Sequence, residues 1–313
     1  MGAASAASPV GTDRRSRWAR PAGCLALGLS LAVASLSAAA RPERIVSVDT
    51  ATDTLVLQIA DREQIVAVRH RTRKPQNSMA WALARQVAGL GRDQAEAVYR
   101  LEPDMVFFGR WGGRSTREML ERLGTPVQRL SSPQNWDEVY TNIHQVGEVT
   151  GHPARAEAMI AEIQARLAGI AAALAGAAPK RAVMYLGRGH TYGRGSRQHF
   201  LMESAGLINL SAERGIRGLG RLDIEELILS EPDVLIFSDY YKDTPTLSRQ
   251  ILDHPAFARL AGHVTVVELP SNRMNATCAY LVDGVEILAR AAFPERFPAA
   301  WAAEAPPPEE RSE

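Results

Sequence analysis

Two stretches of this chain, far apart in sequence, spell the same unit. Gly89-Leu90-Gly91-Arg92 is followed by Leu101-Glu102-Pro103-Asp104-Met105-Val106-Phe107-Phe108. Gly218-Leu219-Gly220-Arg221 is followed by Ser230-Glu231-Pro232-Asp233-Val234-Leu235-Ile236-Phe237. The offset is 129 residues at both ends (218−89 and 231−102), without a gap, and Glu96 and Glu225 coincide under it. One repeat of this length implies duplicated domains, because solenoid periods run about 20–50 residues. Within the second copy, Asp223 is a good N-cap for a helix over Ile224–Leu229, and Pro232 ends that helix. Residues 234–237 are apolar without polar alternation, which suits a parallel strand covered on both faces. Met105–Phe108 is the counterpart in the first half.

The remaining pattern extends this layout. Strands are expected at 44–48, 65–68, 126–130, 181–186 and 264–269. Helices are expected at 52–60, 115–123 and 198–205 and near 246–252. Alternation of this kind implies parallel sheets with helices outside. Between the halves, Val139, Ile143 and Val146 mark one helix, and Ala156, Ile160, Ile163, Leu167, Ile170 and Leu174 mark another. The second, about 33 Å long at ~1.5 Å per residue, is long enough to pass from one lobe to the other. The expected fold is α/β, with two similar lobes, each a mainly parallel sheet flanked by helices, joined by one long helix. The expected boundaries are a lobe at 41–134, a helical connection at 135–178, a lobe at 179–293 and a disordered Pro-rich tail at 294–313.

The N-terminus reads as an export signal. A basic stretch ends at Arg20, an apolar run of about 15 residues follows, and small residues lead to Ala40. That run is short of the ~20 residues needed to span a bilayer. Arg14-Arg15 raises the twin-Arg route, although Asp13 precedes the pair unfavourably. Removing residues 1–40 takes away four Arg and one Asp, leaving 32 basic and 34 acidic residues, a net of −2. Such a body gives no electrostatic reason to expect nucleic-acid binding. Of the two Cys, Cys24 lies in the signal, so the remaining Cys278 has no internal disulfide partner.

From Arg41 to Phe293 the chain resembles the periplasmic binding proteins for vitamin B12 and ferric siderophores that serve ABC importers. The resemblance rests on Pro42-Glu43-Arg44-Ile45-Val46-Ser47, the Gly-Leu-Gly-Arg and Glu-Pro-Asp units, and the helix between them. It implies a non-enzymatic carrier without a cofactor, working in the periplasm as a monomer. A corrinoid or ferric-siderophore chelate would sit between the lobes. The partner would be an ABC permease in the inner membrane, met through an acidic residue on each lobe, with Glu118 and Glu121 as candidates on the first. Arg110-Trp111-Gly112-Gly113 looks like a Trp-containing segment of corrinoid-binding members, with Arg and Trp swapped, which leaves the cargo open.

In parallel α/β sheets ligands sit at the carboxyl ends of strands. The loops there hold Asp49 and Thr50, Arg69 and His70, Arg110 and Trp111, Arg188, His190 and Tyr192, Tyr240 and Tyr241, and Arg273. Aromatic rings supply flat apolar area with a polar handle, and Arg presents a planar fork to anionic oxygens. Haem stays open, because His70, His190 or Tyr241 is able to ligate iron. A free zinc or manganese carrier is the other binding alternative, although the seven His form no close ligand pair. A secreted Rossmann-like enzyme is disfavoured, since Tyr192 stands where the third Gly of Gly-x-Gly-x-x-Gly belongs. Ser196 lacks the Gly-x-Ser-x-Gly elbow of a hydrolase.

Overall fold

The computed structural model describes residues 41–91, 94–110, 113–238, 262–274 and 278–297. Residues 1–40, read from the sequence as an export signal, the helix expected near 246–252 and the end of the tail lie outside these. The first half contributes β1 (Ile45–Ser47), β2 (Ile65–Arg69), β3 (Ala88–Leu90), β4 (Met105–Phe108) and β5 (Val127–Arg129). They form one sheet in the order β3-β2-β1-β4-β5, and every pairing is parallel. The second half contributes β6 (Lys180–Met184), β7 (His190–Tyr192), β8 (Leu207–Asn209), β9 (Leu219–Arg221), β10 (Val234–Ser238) and β11 (Thr265–Leu269). Four of these make a second parallel sheet, ordered β11-β10-β6-β8. β7 and β9 form a separate antiparallel ribbon.

The helices in chain order are α1 (Thr50–Ile59), α2 (Trp81–Arg85), α3 (Ala95–Tyr99), α4 (Arg114–Arg122), α5 (Trp136–Thr150), α6 (Pro153–Ala173), α7 (Arg197–Ser204), α8 (Leu210–Glu213), α9 (Ile224–Leu229), α10 (Ser271–Met274) and α11 (Tyr280–Ala292). α6 is the long connecting helix, with Pro153 at its start, where a missing N–H costs nothing. α5 is capped by Asn135, whose side chain accepts from Glu138 N at 2.8 Å. It closes on Gly151, whose φ of 79° suits glycine.

Both faces of the central strands are buried, which explains their unbroken apolar runs. In β4, Phe107 faces one core while Val106 and Phe108 face another with Leu120 and Val98. In β10, Val234 and Ile236 face the same core as Phe107, and Leu235 and Phe237 pack with Leu222 and Leu227. The shared core runs without interruption from Ile45 and Leu55 through Val139, Ile160 and Ile163 to Met184, Leu281 and Phe293. It also takes in Phe297, which is 9% exposed beyond a turn at Pro294–Arg296. The folded body therefore runs past the boundary expected at 293, because this Phe finds an apolar site.

The repeated Glu-Pro-Asp unit does the same structural task twice. Asp104 accepts from the backbone N–H groups of Glu43 and Arg44 at 2.7 and 2.9 Å, at the start of β1. Asp233 accepts from Arg181 N at 2.7 Å, at the start of β6. The preceding Glu102 and Glu231 both hold positive φ, 47° and 44°, a costly conformation for a residue with a Cβ. The repeated Gly-Leu-Gly-Arg unit instead has two fates: Gly89 and Leu90 of the first lie in edge strand β3 of a parallel sheet, and Leu219, Gly220 and Arg221 of the second lie in the antiparallel ribbon.

Candidate functional site

Strand order reverses between β1 and β4 in the first sheet and between β6 and β10 in the second. Ligands of open α/β sheets occupy the crevice outside such a reversal. Asp49 follows β1 and caps α1, its Oδ1 accepting from Ala51 N at 2.9 Å. Thr50 opens the helix beside it. Across the reversal, a Cβ on Gly109 would lie 2.6 Å from the Asp49 carboxyl carbon. Only glycine lets the β4 loop approach that carboxylate. Arg110 follows, exposed, and Trp111 lies outside the described residues.

Arg69 ends β2, and His70 opens a 3-10 turn over His70–Arg73. The turn is held from beneath by Asp53 of α1. Its Oδ2 accepts from Arg69 N at 2.9 Å and from the Thr72 hydroxyl. Burial pushes the Asp53 carboxyl up to about 8, against the lowering effect of hydrogen bonds from Ser47, Thr72 and Arg69. Above the turn lies an open depression of about 400 Å³ lined by Arg69, His70, Arg71, Lys74, Gln76 and Asn77.

The second lobe answers with Arg188, His190 and Tyr192. Arg188 is exposed between two glycines in left-handed conformation (φ 62°, ψ 29°), strain of the kind kept at ligand sites. His190 Nδ1 is 2.9 Å from Gly187 O. Burial raises the Tyr192 hydroxyl above its usual range, and nearby Arg197 opposes the shift. Tyr240 and Tyr241 lie outside the described residues.

Arg197, absent from the sequence-based set, stands at the meeting point. The residue is half-buried, but its guanidinium end is enclosed. Desolvation lowers its pKa, and the charges of Asp49 and Tyr192 pull it back. Its Nη2 also donates to Ser132 Oγ at 3.3 Å. One cation is thus shared by the first lobe, through Asp49 and Ser132, and the second lobe, through Tyr192. Ser196 caps the helix that carries it, accepting from His199 N at 3.2 Å, but that local signal does not say what the helix start faces.

Arg273 occupies a different setting. Its Nε is 3.6 Å from Asp283, and its Nη1 reaches Met79 Sδ in the first lobe. Beside it, Ser271 Oγ donates to Gln76 O at 3.0 Å and Asn272 Nδ2 to Pro75 O at 2.9 Å. α10 is therefore a latch onto the loop that lines the depression. Glu118 and Glu121 pair within α4, with Arg114 at 2.7 Å and Arg117 at 3.6 Å. Among the described residues, no group of three His, Cys, Asp or Glu is placed to hold a metal ion.

The sequence pattern of the periplasmic binding protein family matches residues 45–263, more than half of the chain. The chain belongs to this family. A cobalamin-binding protein of Halobacterium salinarum is 27% identical over 251 residues, 78% of this chain and 62% of the relative. The chain thus spans about three fifths of that relative's length. A periplasmic heme binding protein from Pseudomonas aeruginosa superposes with a TM-score of 0.64 at 24% identity, covering 81% of this chain and 93% of the other. The periplasmic vitamin B12 binding protein of Vibrio cholerae gives a TM-score of 0.64 at 19% identity, covering 80% and 96%. The family is one of solute-binding proteins, which are not enzymes.

Proposed function

We propose that this protein is the periplasmic solute-binding component of an ABC importer and carries a corrinoid or ferric-siderophore chelate between its lobes. The observation that carries this reading is Arg197, enclosed between Asp49, Ser132 and Tyr192. Polar groups of both lobes converge there: Asp49 follows β1 of the first sheet, and Tyr192 and Arg197 follow β6 of the second by way of the ribbon strand β7. Around that point Thr50, Arg69, His70, Arg110, Trp111, Arg188, His190, Tyr240 and Tyr241 are assigned to the ligand, and Arg273 to the latch at its rim. On this reading residues 1–40 are removed on export, and the lobes at 41–134 and 179–293 work as a monomer that delivers cargo to an inner-membrane permease.

The test is titration of the purified protein with cobalamin, cobinamide, haem and several ferric siderophores, followed by tryptophan fluorescence. Haem belongs in the panel because His70 stands exposed over the depression, and imidazole ligates haem iron. Saturable quenching at sub-micromolar concentration by one class supports the carrier role and names its cargo. Response only to free zinc or manganese, or to a nucleotide, would overturn it.

A further inference from the structure

From Ile65 to Gly91 the chain contains Arg69, Arg71, Arg73, Lys74 and Arg85, with His70, and no Asp or Glu. The whole protein balances 36 basic residues against 35 acidic ones, so this is a local segregation of charge. The fold gathers it. Arg69, His70, Arg71 and Lys74 line one depression of about 400 Å³, with the amide side chains of Gln76 and Asn77.

The basin is built, and does not merely result from exposed side chains. A Cβ on Gly89 would lie 2.7 Å from Arg73 Nη1 and 3.0 Å from His70 Nδ1. The bare strand β3 therefore lets a guanidinium and an imidazole lie against its backbone. Arg85 donates to Arg73 O at 3.3 Å and stacks over Trp81 at 4.5 Å. The supporting carboxyl, Asp53, is buried below the turn rather than facing the basin. Both Pro75 and Gln76 offer their carbonyls to α10 of the second lobe, so the basin borders the line where the lobes meet.

Resting on the carrier reading above, we infer that the cargo is an anionic chelate, presenting carboxylate or catecholate oxygens to the Arg69–Lys74 basin, and not an uncharged macrocycle. Guanidinium groups recognise such oxygens as a fork, and a basin whose charged lining among the described residues is cationic selects by charge as well as by shape.

The test compares matched ligands that differ in charge: ferric tris-catecholate against ferric tris-hydroxamate, and haem against its dimethyl ester, with cyanocobalamin as the net-neutral reference. Within the pair that binds, the anionic member should bind at least tenfold tighter at low salt. That advantage should shrink as salt rises, because exposed charges are screened. Arg71→Glu should cost the anionic ligand at least tenfold, and Arg100→Ala, a cation removed elsewhere, should cost nothing. Equal or tighter binding of a neutral member, or of cyanocobalamin, overturns the inference while leaving the carrier reading intact. Silence from every chelate overturns both.

Discussion

Arg166 of the connecting helix α6 donates through Nη2 to Asp283 of α11 at 2.6 Å, and through Nε to Glu286 at 2.9 Å. Burial alone would lower its pKa, but the two carboxylates outweigh that and hold it above the usual range. At the other end of the same helix, Arg155 donates to Ile59 O and to Asp61, both at 2.9 Å. His152, just before the helix, lies 3.2 Å from Asp61. The helix is therefore bonded to the first lobe near its start and to the second lobe past its middle.

Breaking the inner pair should be costly. Arg166→Met leaves Asp283 and Glu286 partly buried with less compensation, and such losses run to about 3–5 kcal/mol. A fall of about 3 kcal/mol in urea unfolding is expected. A fall below about 1 kcal/mol would show that water or Arg273 and Arg290 replace the lost cation.

Because the connecting helix is bonded to each lobe and α10 latches onto residues 75–79, closure on ligand binding should be small. Small-angle scattering should give nearly the same radius of gyration with and without ligand. A compaction of several ångströms would contradict the bonded-helix picture.

Asp53 should leave a signature in the pH dependence of stability. Its folded pKa of about 8 lies above the ~3.9 of an unfolded aspartate. Between these values the native state holds the proton that the unfolded state has released, so stability contributed here is full below about pH 4. It falls as pH rises towards 8, by at most roughly 1.4 kcal/mol per pH unit. Asp53→Asn should flatten that part of the curve in denaturant titrations from pH 4 to 8. Parallel curves for the two proteins would remove Asp53 as the titrating group.

At the reversal point of the first sheet, Gly109→Ala should displace the Asp49 carboxylate that a new Cβ would strike. Ligand affinity should fall roughly tenfold, about 1.4 kcal/mol, with circular dichroism unchanged. Arg197→Ala should act at the same place from the opposite lobe. The double variant should lose less than the sum of the two, because both changes act through Asp49, which one displaces and whose charge the other no longer meets. Strict additivity in calorimetric titration would separate them.

Much of the fold is legible in the sequence where the signal is local. The apolar run Met105–Phe108 is a strand with those limits, and Ile224–Leu229 is a helix with those limits. Pairing is less legible. Gly89-Leu90-Gly91 and Gly218-Leu219-Gly220 are the same tripeptide, yet Leu90 is buried in a sheet and Leu219 is 60% exposed in a ribbon. What differs is the neighbour: β2 runs alongside the first in parallel, and β7 meets the second head to tail. No residue in the tripeptide encodes that choice. Strands β3, β7, β8 and β9, of three residues each, are too short to show a period. At the site, the order of strands brings Asp49 and Arg110 to one reversal, but the placement of Arg197 depends on how the lobes meet, which leaves no local mark.

The uninterrupted apolar core, from Ile45 through α6 to Phe293, bears on how such a protein is inherited and engineered. Its halves share an ancestral pattern but no longer have separate interiors. Cutting the gene at residue 151 would hand each fragment a raw hydrophobic face that the other used to cover. Swapping one half for that of a relative amounts to remaking a subunit interface, and the grafts that succeed should be those that carry α5, α6 and α11 across together.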